Sequence, residues 1–163
     1  MGKLEPEDYE SLKNARLNGG TILWATVCLE QKIERIIVNN FMGPFEGHSE
    51  KRHLFENEVI GSASFQLSFK KHLLEKISNE LRILSGKQRS KLQSALKRII
   101  SWRNAFAHGH MKLNVQHGAV LCFYLGGHQA QLLDDGYWLS VENTFEECDR
   151  MLRELGNATT NSA

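Results

Sequence analysis

The sequence predicts a mainly α-helical bundle of four or five helices, with a small β-hairpin set before the C-terminal helix. Two patterns carry this expectation: apolar residues recur at spacings of three and four over most of the chain, and one apolar run near residue 120 is broken by a Gly-Gly pair. At 163 residues, with 41% hydrophobic and 24% charged side chains, the chain has the profile of one globular domain. The expected organisation is a helical domain over residues 1–155, a hairpin insert at about 119–133, and a polar, disordered tail over 156–163.

Pro6, Glu7 and Asp8 mark a helix start, and Asn18-Gly19-Gly20 reads as its stop, giving a short first helix to about Arg16. A longer helix follows, with Ile22, Thr26, Leu29, Ile33, Ile36 and Ile37 on one stripe. Residues 39–58, with Gly43-Pro44 and Gly47 among charged side chains, read as an exposed loop. Ser62 or Ser64 is placed to cap a helix bearing Phe65, Phe69, Leu73, Leu74 and Ile77. Ser85-x-x-Gln88 has the spacing of a reciprocal capping pair at the head of a basic helix. That helix carries a seam of Leu92, Leu96, Ile99, position 103 and Phe106. Ala119–Leu125, Gly126-Gly127 and His128–Leu133 form the hairpin, ended by Asp134-Asp135-Gly136. From Ser140 a last helix sets Val141, Phe145, Cys148, Leu152 and Leu155 on one face.

Composition excludes several classes. The apolar run Thr21–Leu29 is far shorter than the ~20 residues of a membrane span. The acidic, apolar-poor start is not a secretory leader, so a cytoplasmic protein is expected. Cys28, Cys122 and Cys148 are widely spaced and read as reduced thiols. Net charge is only +1, yet no acid lies between Glu80 and Asp134, where Arg82, Lys87, Arg89, Lys91, Lys97, Arg98, Arg103 and Lys112 give +8. Such a basic middle between acidic ends suits either a polyanion or pairing with the acids of the last helix.

The segment Trp102-Arg103-Asn104-Ala105-Phe106-Ala107-His108-Gly109 holds the chemistry. An arginine on an apolar seam calls for an anion, because an unpaired buried guanidinium is strongly unfavourable. The anion is either a ligand or a carboxylate such as Glu142 or Glu146. Asn104 and His108 are four apart and share a helix face, where the amide is placed to orient the imidazole. Arg103 and His108 are five apart, about 140° around and ~7.5 Å along a helix, so one chain separates them, whereas two copies about a two-fold axis bring both pairs into one cleft.

Arg103-Asn104-x-x-x-His108 resembles the Arg-x(4–6)-His signature of the HEPN superfamily, in which a polar residue commonly follows the arginine. An Arg-x4-His pattern is expected by chance roughly 0.4 times in this chain; requiring the flanking Asn and Ala lowers that to about 0.002. The resemblance extends to the helical organisation of most of residues 1–109. Within the superfamily, Ile60-Gly61-Ser62-Ala63-Ser64-Phe65 to Leu74 followed by Arg-Asn-x-Phe-Ala-His is similar to the mannitol operon repressor group. The resemblance implies a homodimeric, metal-independent endoribonuclease of toxin or defence type, restrained by an antitoxin or regulatory protein and cleaving RNA by attack of the 2′-hydroxyl on the adjacent phosphate. His108 would exchange the proton, Arg103 would hold phosphate oxygens, and Asn104 would orient the imidazole or donate to phosphate. Lys97 and Arg98 are candidate phosphate contacts and Trp102 a candidate base-stacking residue, although core packing also suits Trp102 and Phe106. The alternative implied is a non-catalytic dimeric regulator. No cofactor and no metal site is expected: no Cys or carboxylate lies close in sequence to His108-Gly109-His110, and further histidines such as His117 and His128 are common in loops.

Overall fold

The computed structural model describes residues 6–44, 49–114 and 118–161. The elements run α1 (Pro6–Met42), α2 (Glu50–Leu54), a π-helix (Phe55–Ile60), α3 (Leu67–Leu81), α4 (Gly86–His108), β1 (His110–Asn114), β2 (Gly118–Tyr124), β3 (His128–Leu132) and α5 (Asp135–Asn161). The mainly helical class with a small sheet before the last helix is therefore observed. Among the described residues no helix is long and apolar enough to cross a membrane. Contacts divide the chain into two units, one formed by Met1–Thr26 with Arg98–Phe145 and the other by Val27–Lys97 with Glu146–Ala163.

The first unit is built around small residues that let larger ones approach. Ala15, Ala105, Ala119, Leu121 and Leu133 are buried, with Leu12, Phe106, Met111, Phe123, Tyr137 and Trp138 packed on them. The Asn18-Gly19-Gly20 stop is not used; α1 passes through it as one 37-residue helix. Gly19 is buried, and a Cβ there would lie 2.6 Å from Phe106 Cδ1, so the missing side chain admits an aromatic ring. The glycine serves close packing, not termination.

The hairpin is one half of a three-stranded antiparallel sheet ordered β1-β2-β3, in which β1 is a strand the sequence reading did not contain. Met111 faces Leu121 and Leu113 faces Ala119 across the first ladder, which sets the apolar side of this period-two pattern toward the core. In β3 the partners on that side are Gln131 and Gln129, both exposed, so β3 is a polar edge. The turn between β2 and β3 spans Leu125-Gly126-Gly127, with Gly126 at φ +65°, one residue longer than the two-glycine turn expected.

In the second unit the α1 stripe is buried as predicted: Leu29, Ile33, Ile36 and Ile37 all lose nearly all their surface. Leu74 and Ile77 of α3, Leu92 and Leu96 of α4, and Cys148, Met151, Leu152 and Leu155 of α5 are likewise buried. Burial pushes the Cys148 thiol up to about 12, helped by the neighbouring Asp149 and Glu147 against Lys32, so it is an inert core group. All three cysteines are free.

Four boundaries are corrected. The predicted loop at 39–58 is α1 to Met42, then α2 and the π-helix, with 45–48 outside the described residues. Arg52 explains the difference: it is buried, and its guanidinium donates to Glu56 Oε1, Gly43 O and Asn39 Oδ1 at 2.7–2.9 Å, tying the end of α1 to the following turns. α3 begins at Leu67 after Gln66, without a serine cap, because Ser62 Oγ instead donates to Val59 O. α5 begins at Asp135: the Asp134 carboxylate accepts from Tyr137 N at 2.7 Å, so the Asp-Asp-Gly run starts a helix as well as ending a strand. Nor is the tail unstructured through residue 161; Thr159 is buried, and Thr159 and Thr160 hydroxyls donate back to Gly156 O, while 162–163 fall outside the described residues.

Candidate nucleic-acid interface

α4 opens with the predicted reciprocal cap. Ser85 N donates to Gln88 Oε1 at 2.8 Å and Gln88 N to Ser85 Oγ at 3.2 Å, which fixes the helix start and hence the phase of everything after it. Leu92, Leu96 and Ile99 follow the seam into the interior. At Arg103 the seam opens: this side chain is exposed, as are Asn104, Ala107 and His108, while Ala105 is buried and Phe106 half-buried.

Exposure removes the need for a buried counter-ion that the seam implied. Arg103 Nη1 donates to Asn104 Oδ1 at 3.0 Å, and no carboxylate among the described residues pairs with it, so neither Glu142 nor Glu146 fills that role. Asn104 therefore presents its oxygen to Arg103. Among the described residues no hydrogen bond joins it to His108, contrary to the expectation that it orients the imidazole in the isolated chain. His108 ends α4, and Gly109 N donates to Ala105 O at 2.7 Å. A Cβ on Gly109 would lie 2.4 Å from Ala105 O and 2.8 Å from Cys122 O, so only glycine fits the joint between α4 and β1.

The flanking candidates separate. Lys97 is exposed and unengaged by any ion pair among the described residues. Arg98 donates through Nη2 to Ser140 Oγ at 2.6 Å, and its Cζ lies 4.9 Å from the centre of the Trp102 ring. Trp102 is edge-to-face with Tyr137 at 6.2 Å and stacked with Phe145 at 6.5 Å. Its ring, half-buried, is thus engaged in packing within the chain by Arg98, Tyr137 and Phe145. Phe106 is likewise taken up, 6.0 Å from Trp138. Among the described residues no three His, Cys, Asp or Glu side chains gather as a metal ion would require, and His117 lies outside them.

Two buried cations in the second unit were missed. Lys70 is 5% exposed and donates to Glu30 Oε1 at 2.6 Å and Glu34 Oε1 at 2.5 Å. Burial pushes its pKa down, but the hydrogen bonds and charges of the two glutamates outweigh this and the net shift is upward. A signal existed, since Lys70 shares the four-then-three spacing of Leu74 and Ile77. Arg52 had none; it borders a cleft of about 690 Å³ with Glu34, Arg35, Asn39, Glu56 and Asn57.

Comparison of the chain with protein-family models, with curated proteins and with solved structures gives no match.

Proposed function

We propose that the exposed end of α4 is the RNA-cleaving surface of a HEPN-type, metal-independent endoribonuclease acting on cytoplasmic RNA, completed by a second copy of the chain. The observation that supports this reading is the solvent-facing Arg103-Asn104 pair with His108 at the helix terminus, inside the acid-free segment. In the reaction the 2′-oxygen attacks phosphorus, the P–O5′ bond breaks, and a 2′,3′-cyclic phosphate and a 5′-hydroxyl result. His108 of one copy takes the 2′-proton or delivers one to the departing 5′-oxygen. The Arg103 guanidinium, free of any carboxylate partner among the described residues, holds the non-bridging oxygens as charge grows on them. Lys97 adds a phosphate contact, so binding weakens with salt. An antitoxin or regulatory protein would act by covering this surface.

The test is cleavage of single-stranded RNA in EDTA. His108→Ala and Arg103→Ala are each expected to lower the rate by about 10²–10⁴-fold with the helical circular-dichroism signal unchanged. A parent protein that never cuts RNA, or variants that cut like the parent, would remove the ribonuclease and leave the non-catalytic regulator.

A further inference from the structure

One side of α1 is apolar and uncovered by any described residue. Leu17, Trp24 and Val27 are 62%, 69% and 44% exposed, and a tryptophan this open on a folded chain points to a missing neighbour. The exposed positions Lys13, Leu17, Gly20, Trp24, Val27 and Gln31 step by four, three, four, three and four, the spacing of a helix-pairing seam. They lie across the helix from the buried stripe of Gly19, Ile22, Thr26, Leu29 and Ile33.

The seam reads the same in both directions. Leu17 and Val27, Gly20 and Trp24, and Lys13 and Gln31 are each placed symmetrically about residue 22. Two antiparallel copies therefore match every position with its symmetric counterpart. The match is also one of size: Gly20 carries no side chain and a Cβ there would meet nothing within 4 Å, so the bulky indole of the partner comes opposite the smallest residue of the seam, at an open position. The flank of the same face adds charge complementarity. In this register Arg16, exposed, comes beside Glu30 of the second copy, while Leu23 meets its own counterpart. Glu30 and Glu34 share one lysine, so their cluster carries one negative charge in excess, and Glu30 is still 28% exposed.

We infer that two copies of the chain pair antiparallel through this face of α1, Trp24 of each seated against Gly20 of the other and Arg16 beside Glu30. The face is about 27 Å long and one helix wide, a small interface that associates in the micromolar range. This pairing does not rest on the ribonuclease reading, which uses the far end of α4. A chain pairing through both faces closes as a tetramer with two kinds of two-fold contact.

Sedimentation equilibrium from about 1 to 100 μM tests the pairing. Trp24→Glu is expected to halve the assembly mass, from dimer to monomer or from tetramer to dimer, with helicity unchanged, and Arg16→Glu to raise the dissociation constant at least fivefold at low salt. Equal masses for parent and Trp24→Glu overturn the inference whether or not RNA is cut. The register is tested by oxidation in a Cys28→Ser background. Leu17→Cys with Val27→Cys in one chain is expected to cross-link between copies. Neither single variant is, because like positions sit ten residues apart, ~15 Å, beyond the ~7 Å reach of a disulfide. Cross-linking of Leu17→Cys alone would mean a parallel pair and would overturn the antiparallel one.

Discussion

Lys70 and Arg103 are both cations at positions where the helical spacing calls for an apolar residue, and the chain treats them in opposite ways. Lys70 is buried and meets two glutamates. Arg103 faces solvent and, among the described residues, meets only the amide oxygen of the next residue. A buried cation must carry its anion within the fold, whereas an exposed one is left available. The first is a structural group, and the second is the kind of group a ligand can use.

The largest effect expected from breaking this contrast is at Lys70. Lys70→Ala leaves Glu30 and Glu34 against each other without their cation and should cost about 3–5 kcal/mol in urea unfolding. Because the folded pKa of Lys70 is raised, its contribution is full below the ordinary lysine range and is lost as pH climbs through the folded value. Gly19→Ala comes next: the new methyl meets the Phe106 ring, and a loss of about 1–2 kcal/mol is expected despite the ~1 kcal/mol that alanine adds to helix propensity. Asp149 accepts from Lys32 and Arg153, which outweigh burial and hold its carboxyl below the usual range. Asp149→Asn should therefore cost about 1 kcal/mol at pH 7, a difference from the parent that is lost as the pH falls below the ordinary carboxylate range and through the lowered folded pKa. Arg103→Ala should change stability by less than about 0.5 kcal/mol; a loss of several would mean that the guanidinium is structural after all.

Much of the fold was legible where one physical demand acts alone. The α1 stripe, the Ser85–Gln88 cap, the β2–β3 hairpin and the apolar face of α5 each answer a single requirement of period, capping or turn geometry. Reading failed where one residue type serves two demands. Gly19 has the composition of a helix stop but the location of a packing contact, and Asp134 closes a strand region while capping α5. Residues 50–60 look like a charged loop because nothing local reveals that Arg52 finds three acceptors inside the fold. At the candidate site the residues were legible but their exposure was not. The seam was extrapolated from Leu92–Ile99 to Arg103, whereas past Ile99 it is Ala105 that is buried and position 103 that faces solvent.

The joint at Gly109 gives His108 an unusual mounting. The backbone carbonyls of Ala105 and Cys122 leave no room for a side chain between helix and sheet, and His110 on the far side is already registered with Cys122. The main chain that carries His108 is thus fixed from both sides, by the Ala105 carbonyl behind it and by the β1–β2 ladder ahead, while the exposed imidazole itself stays outside the joint.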